Sequence, residues 1–227
     1  MTHELFAGLF VDEVAVELAD PRAANDPALP EEEALIVRAI DKRVREVRAS
    51  RHAVRRALAR LGLPAAAIGH DSERAPVWPA GVVGSISHTR DLCAVAVARR
   101  GHVTSVGLDV ERAEALSDAL VARVCTPCEI AALARHGDVA RLAKIVFSAK
   151  EAFYKAQHPL TRRFLGFQDV ELELELELEP GNGRFVVILN VDAPPLLRGH
   201  RVAGLVRTTA THVATAVTYF EPSVQSG

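Results

Sequence analysis

An α+β fold of two similar lobes, each a small antiparallel sheet packed with helices, is what this 227-residue sequence predicts. Three observations predict it. Apolar residues recur at helical spacing over 32–61, and short strand-patterned runs follow them. The second half repeats that order, with helical patterns at 116–134 and 141–157 ahead of an unbroken Glu/Leu alternation over 170–179. Turn signals such as Pro180-Gly181-Asn182-Gly183 separate neighbouring strand runs, which makes the pairing antiparallel. The join falls near Val103, and no exact internal repeat accompanies it.

Taken in order, 6–18 alternates apolar residues and predicts a strand, and Pro21, Asn25-Asp26-Pro27 and Pro30 predict the loop after it. Glu31-Glu32-Glu33 sits at the dipole-positive start of a helix. The helical pattern over 32–61 reads as one long helix or as two joined near Ser50, and Leu61-Gly62-Leu63-Pro64 ends it. Ser85-Ile86-Ser87-His88 and 93–98 are strands, Gly101-His102 a turn, and 103–111 a further strand. The Glu/Leu run over 170–179 pairs with 184–191 as a hairpin, and 201–207 with 212–220 as a second pair.

Composition narrows the function classes. Hydrophobic residues make up 49% and charged residues 25%, enough for a core without disulfide staples. A net charge of -2 gives no general surface for nucleic acid, although Arg and Lys crowd 42–60. Met1-Thr2-His3-Glu4 has no basic leader pattern, and no apolar run nears the ~18 residues of a spanning helix. Three cysteines do not form a secreted disulfide framework. These features predict a cytoplasmic protein with reduced thiols, no nucleic-acid partner and no membrane partner.

The chemistry-bearing residues gather in two stretches. In Gly107-Leu108-Asp109-Val110-Glu111, strand alternation projects Asp109 and Glu111 from one face while Val106, Leu108 and Val110 point to the core. In Phe147-Ser148-Ala149-Lys150-Glu151-Ala152-Phe153-Tyr154-Lys155, Glu151 and Lys155 share a helix face, with Lys150 beside them. Carboxylates with lysines suit a hard cation held against phosphate oxygens. Two acids on an exposed strand edge, or a lysine beside an acid on a helix, are also ordinary surface features. Among the arginines of 42–56, Arg43 and Arg51 are candidates for neutralising phosphate, and the others form a solvated face. Ser87-His88 either donates to a phosphate or caps local backbone. The lone Cys125-Thr126-Pro127-Cys128 lacks the second pair of a zinc ribbon and the context of a redox motif, so both cysteines read as helix-start residues. The Glu/Leu run places a solvent-facing carboxylate row on a strand, which discourages edge pairing.

Six motifs in order resemble a known family. They are Arg51-His52-Ala53-Val54-Arg55-Arg56-Ala57-Leu58, Pro76-Val77-Trp78-Pro79, Gly84-Ser85-Ile86-Ser87-His88, Val106-Gly107-Leu108-Asp109-Val110-Glu111, the stretch from Phe147 through Lys155, and Pro159-Leu160-Thr161-Arg162-Arg163-Phe164-Leu165-Gly166-Phe167. Over 42–187 the chain resembles the Sfp-type 4'-phosphopantetheinyl transferases, in the single-chain bacterial branch of the enterobactin-synthesis enzyme and its mycobacterial relatives. The resemblance implies a pseudo-two-fold pair of lobes, 1–102 contacting the coenzyme A adenosine and phosphates and 103–227 carrying the metal and catalytic residues. It implies a monomeric, magnesium-dependent holo-[acyl-carrier-protein] synthase of polyketide, nonribosomal peptide or siderophore biosynthesis. Such an enzyme moves the phosphopantetheine arm of coenzyme A, its co-substrate, to a serine of an apo acyl or peptidyl carrier protein and releases adenosine 3',5'-bisphosphate.

By the same resemblance Asp109, Glu111 and Glu151 bind Mg²⁺, with Mn²⁺ as a substitute, and Glu151 doubles as the base for the serine hydroxyl unless a metal-bound water relays the proton. Lys155 offsets charge on the bridging oxygen or protonates the leaving phosphate, and Lys150 contacts the phosphates. Arg43, Arg51, Ser87 and His88 hold the adenosine end with its 3'-phosphate, joined by Arg74 or His70. Ser50 stands where the family has glycine before the arginine. Basic Arg162-Arg163, with apolar Leu160, Phe164 and Leu165, offers either a docking face for an acidic carrier or part of the core. The competing readings are a coenzyme A or carrier-binding module without catalysis, and another Mg²⁺-dependent nucleotide enzyme, although no Gly-rich Walker loop is present.

Overall fold

The structure is a computed structural model that describes residues 4–176 and 182–221. The chain divides into two compact units, 11–106 with the residues from 218 onward, and 107–217 with the residues up to 10.

In the unit built on 11–106, β1 (Val14–Ala19) starts later than the alternation over 6–18 predicts. Ahead of it, in the residues up to 10 that belong to the other unit, Leu5 and Phe6 are buried from a 3-10 turn at Glu4–Phe6 and Leu9 is buried after that turn, so the first part of the alternation is not strand. The helical run over 32–61 does break, but ahead of Ser50 by a wide margin. Helix α1 (Pro30–Glu33) and a 3-10 turn (Ala34–Ile36) precede an extended Ile40, and α2 (Asp41–Arg60) starts afresh after it. The cause is a long-range anchor. The fully buried Glu32 carboxylate accepts from Leu29 N at 3.0 Å, Ile68 N at 2.9 Å and Arg55 Nη1 at 2.8 Å, which fixes α1 independently of α2. Val37 and Ile40, apolar and in helical register with the core, are instead 81% and 73% exposed. Ser50 lies inside α2 and donates to Val47 O at 2.7 Å.

Helix α2 closes as its sequence predicts. Gly62 takes the left-handed conformation (φ 64°), its N–H reaches Ala59 O, and Leu63 N reaches Leu58 O, each at 2.9 Å. After the short pair β2 (Gly69–His70) and β3 (Pro76–Val77), β4 (Val82–His88) and β5 (Cys93–Arg99) complete a three-stranded antiparallel sheet of order β1-β5-β4. Ala49, Ala53, Val54, Ala57 and Leu58 of α2 pack on Val95 and Val97 of β5, the small alanines letting the helix lie close. Cys93 belongs to this core, where burial pushes its thiol up to about 12.

Strand β6 (Val103–Arg112) runs across the division of the chain. The single helical pattern over 116–134 becomes two helices, α3 (Asp118–Val124) and α4 (Pro127–Leu133). The break is chemical: Thr126 Oγ1 accepts from Glu129 N at 3.2 Å while Glu129 Oε2 accepts from Thr126 N at 2.7 Å, a reciprocal cap followed by proline at the first helical position. Cys128 is therefore a helix-start residue, whereas Cys125 closes α3. Helix α5 (Val139–Thr161) outruns its 141–157 pattern at both ends, from an Asp138 cap to a left-handed Arg162 (φ 53°).

A five-stranded antiparallel sheet of order β6-β10-β9-β8-β7 completes this part of the chain, with β7 (Val170–Leu176), β8 (Asn182–Leu189), β9 (Arg201–Thr208) and β10 (His212–Phe220). The hairpin register runs from Val170 opposite Leu189 to Leu176 opposite Gly183, so Asn182 and Gly183 are already strand, while 177–181, with the predicted turn residues Pro180 and Gly181, lie outside the described residues. Strand β7 is the sheet edge, and its Glu173 and Glu175 are exposed, as a carboxylate row that blocks pairing requires. One contact sets how α5 meets β6. A methyl group on Gly107 would fall on the Ala152 carbonyl oxygen and 2.8 Å from Ala156 N, so only glycine lets the helix backbone lie on the strand. No described helix is long and apolar enough to cross a membrane.

Candidate active site

The alternation of β6 operates as predicted, yet both of its faces are covered. Val106, Leu108 and Val110 fill one side of the core, and Gly107, Asp109 and Glu111 face α5. Asp109 is only 3% exposed. Its Oδ1 accepts from Lys155 Nζ at 2.7 Å, and its Oδ2 accepts from Ser148 Oγ at 2.8 Å. Lys155 also donates to Leu108 O at 3.1 Å. Glu111 accepts from Lys144 Nζ at 3.2 Å. Residues 144, 148, 151 and 155 thus form one stripe on α5, spaced by four, three and four.

Glu151 sits in that stripe, half-buried, with no hydrogen bond or ion pair among the described residues. Burial pushes its carboxyl above the usual range; the nearby Lys155 pulls it back, and the Asp109 and Glu111 charges raise it further. Glu111 is raised for the same leading reason, burial, reinforced by Asp109 and opposed by Lys144. Three carboxylates that act on one another therefore face two ammonium groups. The donor set is all oxygen, which fits a hard divalent cation. Among the described residues no three such side chains converge closely enough to chelate an ion unaided, so a cation here would complete its shell with substrate oxygens and water.

Lys150 departs from its expected phosphate contact. It is 2% exposed and turned away from the stripe, with Nζ donating to Val124 O at 3.0 Å, Glu129 Oε2 at 2.8 Å, Phe167 O at 2.8 Å and Val170 O at 3.2 Å. An ammonium has three protons, and here four oxygens share them. Glu129 is matched as fully: besides Lys150 and Thr126 N, its Oε1 accepts from Leu172 N at 2.6 Å. This pair fastens α5 to α3, α4 and the start of β7.

In the other unit, the candidates Arg43 and His88 lie together, with Arg43 Nη1 3.2 Å from His88 Nε2. Glu46 joins them, 3.5 Å from Arg43 Nη1 and 3.7 Å from His88 Nε2. Arg51 is buried and works inward: Nε donates to Ile68 O at 2.9 Å and Nη1 to Ser50 Oγ at 3.2 Å, leaving Nη2 for any phosphate. Ser50 is thus an arginine partner. Ser87 and His88 are consecutive on β4 and project to opposite faces, so Ser87 does not share the Arg43 side. Arg74 is exposed on a turn, in left-handed conformation (φ 66°), where Asp71 Oδ1 accepts from Glu73 N and Ala75 N; His70 is exposed next to it. Past α5, Arg162, Arg163 and Phe164 are exposed, Phe164 by 79%, whereas Leu165 belongs to the core and Leu160 is half-buried.

Sequence reasoning missed Ser148, Lys144, Glu46 and Glu129. The first two are in helical register with Glu151 and Lys155, and Glu46 is one turn from Arg43, so spacing carried a signal for three of them.

The region 31–98 matches the family described as the 4'-phosphopantetheinyl transferase N-terminal domain, and 105–193 matches the 4'-phosphopantetheinyl transferase superfamily. The chain is 38% identical over 207 residues to the 4'-phosphopantetheinyl transferase PptT of Mycobacterium tuberculosis, covering 86% of this chain and 91% of that one. It is 41% identical over 161 residues to the 4'-phosphopantetheinyl transferase Npt of Nocardia iowensis, covering 70% and 72%. It is also 37% identical over 102 residues to enterobactin synthase component D of Escherichia coli, covering 44% and 47%.

Proposed function

The chain belongs to the 4'-phosphopantetheinyl transferase superfamily, and from that premise we propose how its residues divide the work. The enzyme moves the phosphopantetheine arm of coenzyme A to a serine of an apo carrier protein and releases adenosine 3',5'-bisphosphate. The carriers are acyl or peptidyl domains of fatty-acid, polyketide or nonribosomal peptide synthesis, docking on exposed, basic Arg162 and Arg163 beside Phe164.

One observation carries the assignment of roles: among the described residues, Glu151 is the carboxylate of the stripe that has no hydrogen bond or ion pair to relinquish, whereas Asp109 and Glu111 are each held by a donor on α5. It takes the proton from the serine hydroxyl as oxygen bonds to phosphorus and the bond to the leaving bisphosphate breaks. Asp109 and Glu111, already oriented by donors on α5, hold Mg²⁺ or Mn²⁺ together with Glu151. Once bound, the cation supplies charge neutralisation at the pyrophosphate oxygens. Lys155, fixed by Asp109 and Leu108 O, has one further proton to direct at the bridging oxygen. Arg43 and His88 take the 3'-phosphate of coenzyme A. Lys150 takes no phosphate and holds the scaffold.

Incubation with coenzyme A, Mg²⁺ and a panel of apo carrier proteins, followed by intact mass, tests the activity. Gain of one phosphopantetheine on at least one carrier is expected, and no gain on any of them rejects it.

A further inference from the structure

We propose that Lys144 is a positioning residue for Glu111, its ammonium holding one carboxylate oxygen so that the other stays turned to the cation bound at this site. The inference rests on the reading of Asp109, Glu111 and Glu151 as cation ligands. Lys144 Nζ lies 3.2 Å from Glu111 Oε2, and Glu111 has no second hydrogen-bond partner among the described residues. The lysine side chain is only 12% exposed, and its ammonium stands 5.4 Å from the centre of the Phe147 ring. An ammonium so placed is confined by packing and by the ring face, unlike a surface lysine whose pairing contributes little.

The neighbouring carboxylate is held more fully: one turn on, Ser148 donates to Asp109 Oδ2 at 2.8 Å, and Lys155 donates to its Oδ1 at 2.7 Å, so both β6 carboxylates are oriented by α5 donors. Mg²⁺ demands near-octahedral geometry and takes carboxylates through one oxygen with little tolerance. A partner on the second oxygen sets which lone pair the ion meets, and loss of such an outer partner lowers metal affinity by about 10–100-fold. The opposite role, a counter-ion that competes with the cation, predicts tighter metal binding once the lysine is removed.

Mn²⁺ titration of the full-length protein in the presence of coenzyme A, followed by the electron paramagnetic resonance of free Mn²⁺, separates these outcomes. Lys144→Met should weaken Mn²⁺ binding by about 10-fold or more, with Lys144→Arg close to wild type and the melting temperature of both little changed. Unchanged or tighter binding by Lys144→Met overturns the proposal. Lys144→Gln, which removes the charge and is one atom shorter, gives the same reading if the Met variant folds poorly. Asp109→Asn serves as the control: if it loses Mn²⁺ while Lys144→Met and Lys144→Gln do not, Lys144 alone is rejected. If wild type binds no Mn²⁺, the ligand reading beneath the proposal fails as well.

Discussion

Two sides of α5 each bring a lysine to a carboxylate. At Lys150 the ammonium and the Glu129 carboxylate are buried, and every oxygen and proton is matched. At Lys155 the side chain is 26% exposed, its carboxylate partner is shared with Ser148, and the neighbouring Glu151 has no hydrogen bond among the described residues. The same residue types thus make a closed joint on one side and an open one on the other. Saturated hydrogen bonding marks the joint that carries structure, and unspent donors and acceptors mark the one able to accept a ligand.

The largest test of that contrast is Glu151→Gln, which keeps shape and removes the base. It should lower kcat by about 10²–10⁴-fold at saturating Mg²⁺, and a fall under about 10-fold in single-turnover kinetics sinks the assignment. Next in size is Lys150→Met, which leaves Glu129 buried without its cation and should destabilise the protein by about 3–5 kcal/mol. Urea unfolding measures this; a raised KM for coenzyme A with unaltered stability would instead return Lys150 to the phosphates.

Third, the two sides should differ in sign. Glu151→Gln should stabilise the folded state at neutral pH by up to about 2 kcal/mol, since it removes a desolvated charge without a hydrogen bond. Glu151 and Glu111 have folded-state proton affinities raised above the ordinary 4.5. Their contribution to stability is therefore best below pH 4.5 and is lost as pH rises through the raised values. Thermal melts of wild type and Glu151→Gln across that window should diverge as pH rises, and parallel curves would count against the open side. Smallest is Thr126→Val, which removes the cap beside Glu129 and should cost about 1 kcal/mol with kcat unchanged.

Much of this was legible in the chain. Strand alternation put Asp109 with Glu111, and helical spacing put Glu151 with Lys155, because both are local periodicities. Adjacency misled at Lys150 and Ser87. One step along a helix turns a side chain by about 100°, and one step along a strand reverses it, so neighbours in a motif diverge in space. Arg51 and the start of α2 were illegible for another reason. Their surroundings come from Ile68 and Glu32, partners whose approach only tertiary packing decides.

Gly107 gives the two sides of α5 a common fulcrum. With no side chain between strand and helix, β6 and α5 meet backbone to backbone, and the carboxylates and the stripe opposite them are spaced from that single point. Any residue with a Cβ at 107 would act as a shim, prising the jaws of the site apart while leaving each of its functional groups chemically intact.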